Sequence, residues 1–499
     1  MEETNRNSYR SITKAIGLFG GTKVFQIIVG LIKNKLVAML LGPLGMGISS
    51  MITSTTSVVS AFTSMGLSTS GVRDVAQSYN SKDQGKIDRT VTILQRLVWL
   101  TGIIGTLIVF AFAQQLSILS FKNEEWTWGF RIVSITLLIN QLVIGQNVLL
   151  QGTFHYRYIA LAALYSSVAG LIINVPMYFI WRFDAIVPAI VVTSAINIII
   201  TSYYSRKVTY HSQNLSWKEI WDGGKPMLIL GLALTLTSGV HMLGPYIVRY
   251  FLTSIGTLET VGIYAAGIVI ANEYINLILN SMGTDYTPRL MAAYEDRPLF
   301  IDTINRQAVL LVTLVAPLII VFVVLAKELT LVLYTDKFLP MVGMIEWMMF
   351  GMFFRALSWS MSFAVVASGK GKMYFFNELL SATYSISLTI FGYKWFGYIG
   401  IGVGFCITYI LYTIQMYVIC HNKFGFHFNR EIWHKVFTMI VLSFVMVLVL
   451  NLNQEGWQHY VLGVLFTIAI CILSYRWLDQ MIGIKSVMAG FKNKFYTKK

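Results

Sequence analysis

The run "AGIVIANEYINLILNSMG" sets Asn272, Glu273, Asn276 and Asn280 into a stretch with no other charged residue. Asn272, Asn276 and Asn280 fall at i, i+4 and i+8, which is one face of a helix. Amides exchange hydrogen bonds with a polar solute without holding it tightly, and a lone carboxylate can take up a proton. Asn140, Asn147 and Gln151 form a second amide stripe in another apolar run. Basic groups stand beside these stripes: Lys23, Lys33 and Lys35 in the first apolar run, and Arg355 in the middle of a later one. A lysine offers phosphate a point charge and an arginine offers it a fork, so this set suits a phosphate-bearing ligand. Lys33 and Lys35 lie on roughly opposite helix faces, and Gln26 shares the Lys33 face. Lys23 fits either a cavity wall or a buried partner for a carboxylate. Glu346 and Glu378 are the other acids within apolar runs, and His241 is the one histidine inside such a run, either packing or carrying a proton.

These groups need helices that cross a membrane. The chain of 499 residues is 56% hydrophobic and 12% charged, with a mean hydropathy of +0.64, which excludes an ordinary soluble globular domain. Windows of roughly 20 apolar residues give about fourteen spans. The first two cover 12–41 and 46–71, the eighth 261–283, the tenth 341–367, and the eleventh and twelfth 374–393 and 399–420. An unpaired charge at the centre of a span costs roughly 2.5–3.5 kcal/mol, so such groups face a cavity or a partner. The larger part of the 38 Lys and Arg falls on one side, which predicts both termini in the cytoplasm. The net charge of +15 is then accounted for by topology and anionic lipids, and no nucleic acid partner is expected. Cys406, Cys420 and Cys471 all lie in apolar runs, so neither a disulfide framework nor a metal site is expected, and no cofactor is implied.

The chain also repeats itself. Gly45 and Gly66 are spaced as Gly262 and Gly283 are, and each second glycine ends a Ser-Met-Gly. Gly152 and Gly369 share the same offset of 217. This predicts an all-α membrane protein of two parallel-repeat lobes around a central cavity. The N-terminal lobe spans 1–204, a basic cytoplasmic linker 205–226, the C-terminal lobe 227–420, and two additional spans with a basic tail 421–499.

The run "KNKLVAMLLGPLGMGISSMITSTTSVVSAFTSMGLSTSGVRDVA" resembles the opening of O-antigen-type (Wzx-like) polysaccharide-biosynthesis flippases, of the multidrug/oligosaccharidyl-lipid/polysaccharide exporter superfamily. "ETVGIYAAG", followed by Pro288-Arg289, is similar to the start of their second half. The resemblance implies translocation of a polyprenyl-diphosphate-linked oligosaccharide to the outer leaflet of a bacterial cytoplasmic (inner) membrane. Membrane lipids would surround the protein, and a polysaccharide polymerase machinery would be a partner.

Candidate substrate-binding residues are therefore Lys23, Lys33, Arg355, Asn272, Glu273, Asn276, Asn280, Asn140, Asn147 and Gln151, with Glu273 and His241 as candidates for ion coupling. Packing between helices is the competing account of the amide stripes. No P-loop, His-Glu-x-x-His or Gly-x-Ser-x-Gly motif is present, so an enzyme is not expected. The alternatives are a drug/cation antiporter of the same superfamily, which would favour intramembrane acids, and a polysaccharide polymerase or ligase, which would need a large outer loop.

Overall fold

A computed structural model describes the backbone of residues 2–452 and 457–482, with side chains from residue 21 onward apart from a few helical positions. The expected basic tail over 483–499 lies outside the described residues. Among those residues the fold is helical throughout, without a strand. Seven helices come first: α1 (Glu2–Thr63), α2 (Leu67–Asn80), α3 (Gln84–Ala111), α4 (Ala113–Phe121), α5 (Thr127–Gly152), α6 (Tyr156–Trp181) and α7 (Ile186–Ser205). Six follow: α8 (Trp217–Ile255), α9 (Leu258–Ala292), α10 (Arg297–Val324), α11 (Ala326–Leu333), α12 (Val342–Ala367) and α13 (Gly371–Phe424). The chain closes with α14 (Arg430–Leu452) and α15 (Trp457–Ile482).

Nine runs among the described residues are long and apolar enough to cross a membrane, and three of them, of 43, 50 and 54 residues, each hold two helices. Counted with α8 and the shorter apolar segment in α14, the described helices match in number the fourteen spans expected. Two of the turns are hidden inside continuous helices. Gly42 in α1 has φ 66° and ψ −167°, and Gly397 in α13 has φ 61° and ψ −140°. A side chain would strain either conformation, and Pro43 removes a backbone donor where the first bend falls.

The breaks recur along the chain. The bend at Gly42 answers to the gap between α8 and α9, the gap after α5 to the gap after α12, and the 3₁₀ turn at Arg182–Ala185 to the bend at Gly397. Each half also places a short helix, α4 or α11, after its third long one. Asp83 and Asp296 cap the matching helices α3 and α10, accepting from the Lys86 and Leu299 amides at 3.3 and 3.2 Å. The match is not complete: Gly66, with φ 61°, breaks the chain before α2, whereas Gly283 continues α9.

Packing divides the chain differently, into one compact unit of Met1–Ala265 with Leu333–Lys337 and another of Ala266–Val332 with Phe338–Lys499. Thus α8 opens the second round of the helix order but packs with α1, α2 and α3. In the first unit, Leu67, Val91, Leu94, Val148, Ile220 and Met227 share a buried cluster that joins α2, α3, α5 and α8. A closer approach holds α1 to the start of α9. A Cβ on Gly47 would lie 1.9 Å from the Leu258 carbonyl oxygen, and one on Gly262 1.9 Å from the Pro43 carbonyl oxygen. Such backbone contacts are available only to glycine, and membrane helices use them in place of a hydrophobic driving force.

The connection between α7 and α8 is latched to α3. Asp88, which is buried, accepts from Gln84 Nε2 at 2.8 Å and from the His211 amide at 3.0 Å. The Gln213 amide donates to the Thr92 hydroxyl at 3.1 Å. Ser216 then starts α8 with a capping box, and the Ser216 hydroxyl and amide hold the Glu219 carboxyl below its usual range. Asp88→Ala would leave the His211 amide without an acceptor at a cost of about 2 kcal/mol. The purified variant is expected to melt a few degrees below the wild type, a shift that an unchanged melting curve would contradict.

Candidate functional site

The Arg355 guanidinium gathers one polar cluster of the second unit. It projects from α12 toward α9, where its Nη2 donates to Asn276 Oδ1 at 2.7 Å and its Nη1 to Asn272 Oδ1. The two acceptors are one helical turn apart, so the fork spans both amides. The Tyr409 ring lies below the guanidinium, 5.6 Å from its carbon, and adds a cation–π contact. No carboxylate partners Arg355 among the described residues, so its full positive charge is solvated by neutral dipoles. A cation held this way keeps its charge for a ligand, because amide oxygens are displaced more easily than a carboxylate.

Glu273 and Asn280 lie on α9 but outside this cluster. Both are exposed, and neither has a hydrogen bond or ion pair among the described residues. The amide stripe is therefore split between a pair engaged by Arg355 and a third amide that is not. Beyond Arg355 on α12, Ser358 spends its hydroxyl on the Arg355 carbonyl at 3.1 Å, while Trp359 packs on Phe363 and Tyr286.

The first unit holds a cavity of about 420 Å³ lined by one face from each of four helices: Gln26 and Lys33 from α1, Asn147 from α5, Ser166 from α6, and Thr193 and Asn197 from α7. The Gln26–Lys33 spacing is what brings both to one wall. Other expected residues lie elsewhere. Asn140 and Gln151 are exposed on α5 and do not line this cavity, Lys23 is exposed, and His241 is exposed on α8. Lys35 points away and donates to the Tyr334 carbonyl.

A further polar cluster was not visible in the spacing. The two arms of α13, folded back at Gly397, bring Glu378 against Tyr412, whose hydroxyl donates to Oε1 at 2.6 Å. Tyr384 donates to Gln415 Oε1 at 3.0 Å, and Gln415 Nε2 donates to the Asn377 carbonyl at 3.1 Å. These residues lie more than 30 positions apart, and only the bend at Gly397 aligns them. The adjacent Asn377 and Glu378, with two amphipathic tyrosines and a glutamine inside apolar runs, were the available signal.

A bundle with this helix order, repeated with a short helix after each third long one and carrying polar clusters inside its spans, is a multi-pass membrane transporter fold. A family model described as polysaccharide biosynthesis protein matches residues 36–343. The chain belongs to the polysaccharide biosynthesis protein family. It is 23% identical to the Lipid III flippase of Escherichia coli (strain K12) over 415 residues, covering 81% of this chain and 96% of that protein. Among solved structures it is similar to the Lipid II flippase MurJ in an inward closed conformation, with TM-score 0.69 at 14% identity over 93% of this chain and 99% of that one. It is also similar to an inward-facing multidrug resistance MATE family transporter of the MOP superfamily, with TM-score 0.65 at 13% identity over 80% of this chain and 94% of that one. The fold is that of the multidrug/oligosaccharidyl-lipid/polysaccharide exporters, as the sequence motifs led us to expect. These relatives are flippases and transporters, not enzymes.

Proposed function

We propose that the protein is a flippase that carries a polyprenyl-diphosphate-linked oligosaccharide, an O-antigen unit or a similar surface polysaccharide unit, from the cytoplasmic to the outer leaflet by alternating access. The observation that carries this reading is the Arg355 guanidinium, which lies inside a span with no carboxylate partner among the described residues and with its fork on two displaceable amides. A diphosphate would replace those amide oxygens with charged ones, and the freed Asn272 and Asn276 would turn to sugar hydroxyls. Asn280 and Glu273 on α9, and separately Lys23, Asn140 and Gln151 in the first unit, are proposed as further substrate contacts. Glu273 and His241 are the groups we assign to ion coupling. The names of the relatives, flippases of Lipid III and Lipid II, support a lipid-linked substrate.

In this reading the bacterial cytoplasmic membrane holds repeat lobes 1–204 and 227–420, the linker 205–226 and the added helices of 421–499, with both termini cytoplasmic. The oligosaccharide delivered outside would pass to polymerase machinery. A reporter fused after residue 215 is expected to report the cytoplasm, and an outer signal there would reverse the topology. The function is tested by expressing the protein in flippase-null strains that make different lipid-linked units. Restored surface polysaccharide in one of them, with unchanged drug sensitivity, is the expected outcome. Raised drug resistance without restored polysaccharide would favour a drug/cation antiporter instead.

A further inference from the structure

We infer that the cavity of the first unit is an anion site in its own right, in which the Lys33 ammonium and surrounding amide and hydroxyl donors hold a small inorganic anion or a single anionic group. This inference does not depend on Arg355 meeting a diphosphate, because every lining residue belongs to α1, α5, α6 or α7.

The charge inventory points first to an anion. Among the described residues, Lys33 is the one charged residue in the lining, and no carboxylate lines the cavity with it. Nor does Lys33 have a hydrogen-bond or ion-pair partner among the described residues. A lone ammonium within a span costs roughly 2.5–3.5 kcal/mol, which a bound anion offsets and a neutral ligand does not.

The hydrogen-bond inventory points the same way. Several lining hydroxyls have already spent their protons: Ser167 donates to the Ala163 carbonyl at 2.7 Å, Thr193 to the Ala189 carbonyl at 2.7 Å, and Thr201 to Asn197 Oδ1 at 3.2 Å. The last bond orients Asn197 so that its NH₂ is free to point into the cavity. The Ser166 hydroxyl is buried, lines the cavity and has no partner. Donors therefore remain on Lys33, Ser166 and the amides of Asn197, Gln26 and Asn147, and among the described lining residues Lys33 alone carries a charge. An uncompensated cation ringed by free donors is the chemistry of an anion pocket.

Size limits the occupant. A volume of about 420 Å³ is at the small end for ligand pockets. It accommodates a hydrated halide or phosphate, or one acidic sugar residue. Free ions and an acidic group on the transported glycan share this chemistry, and the test separates them.

The full-length protein in lipid nanodiscs would be titrated with bromide or inorganic phosphate at constant ionic strength, balanced by the bulky buffer anion MES, while its melting temperature is followed. Wild-type protein is expected to show a saturable rise that Arg355→Gln retains and Lys33→Gln weakens tenfold or more. The same rise in Lys33→Gln, or no rise with any anion, would overturn the inference. Should bromide and phosphate bind, the occupant is a free ion. Should only galacturonate or a sugar phosphate bind, again dependent on Lys33, it is a group carried by the glycan.

Should Lys33→Gln fail to fold, the wild-type protein still decides the matter. Amine-directed labelling of Lys33, mapped by mass spectrometry, is expected to fall as the binding anion rises, and labelling that stays constant overturns the inference. Loss of polysaccharide export in Arg355→Gln with anion binding intact would show that the two sites stand or fall separately.

Discussion

Arg355→Ala is expected to abolish restoration of surface polysaccharide at normal protein levels, with a flipping rate at least about 100-fold below wild type. Two charge-assisted contacts to a diphosphate are each worth about 1.5–3 kcal/mol, and the alanine loses both. The variant should still fold, because among the described residues Arg355 has no carboxylate partner that its removal would strand, and Asn272 and Asn276 are only partly buried. Arg355→Lys is expected to keep roughly a tenth of the rate: the charge survives, while the fork that spans Asn272 and Asn276 does not. Quantifying lipid-linked units and surface polymer in the same cells separates lost transport from lost protein. Full export by the alanine variant would remove Arg355 from the substrate path.

The second large effect is structural. Gly262→Val is expected to eliminate folded protein, because its Cβ would sit 1.9 Å from the Pro43 carbonyl oxygen and no rotamer change moves a Cβ. Relief requires separating α1 from α9, and the loss should exceed about 4 kcal/mol. Gly47→Val should behave alike, since its Cβ meets the Leu258 carbonyl oxygen at the same distance. Gly244→Ala is the contrast: nothing lies within 4 Å of its Cβ, so accumulation should be unchanged or slightly higher. Detergent-solubilised yield by size-exclusion chromatography reads all three, and a normal monodisperse peak for Gly262→Val would contradict the close crossing.

The helices were legible because each needs a long apolar window. Even the bends at Gly42 and Gly397 fall in the short gaps between the expected spans 12–41 and 46–71, and 374–393 and 399–420. The short helices α4 and α11 were not legible, since eight or nine residues cannot show the periodicity of a span. The same limit applies to side-chain partners. Spacing placed Asn272 and Asn276 on one face and Gln26 with Lys33 on another, and the structure brings each pair to one polar cluster. Spacing could not say that Asn280 would stand apart, or that Asn147 would reach the Lys33 cavity while Asn140 and Gln151 would not. Those outcomes depend on which neighbouring helix covers each face. The Glu378 cluster was hidden for a related reason: its partners meet across a bend, and no periodicity links positions on opposite sides of one.

The central claim is that a guanidinium inside a span recognises a lipid-linked diphosphate. It is tested most directly in proteoliposomes holding a fluorescent polyprenyl-diphosphate oligosaccharide, by following the arrival of its sugar at the opposite leaflet. Wild-type protein is predicted to move this substrate at least ten times faster than the same glycan on a polyprenyl monophosphate, with Arg355→Ala erasing that preference. Equal rates for the two lipids in wild-type protein, or an undiminished preference in Arg355→Ala, would contradict the account.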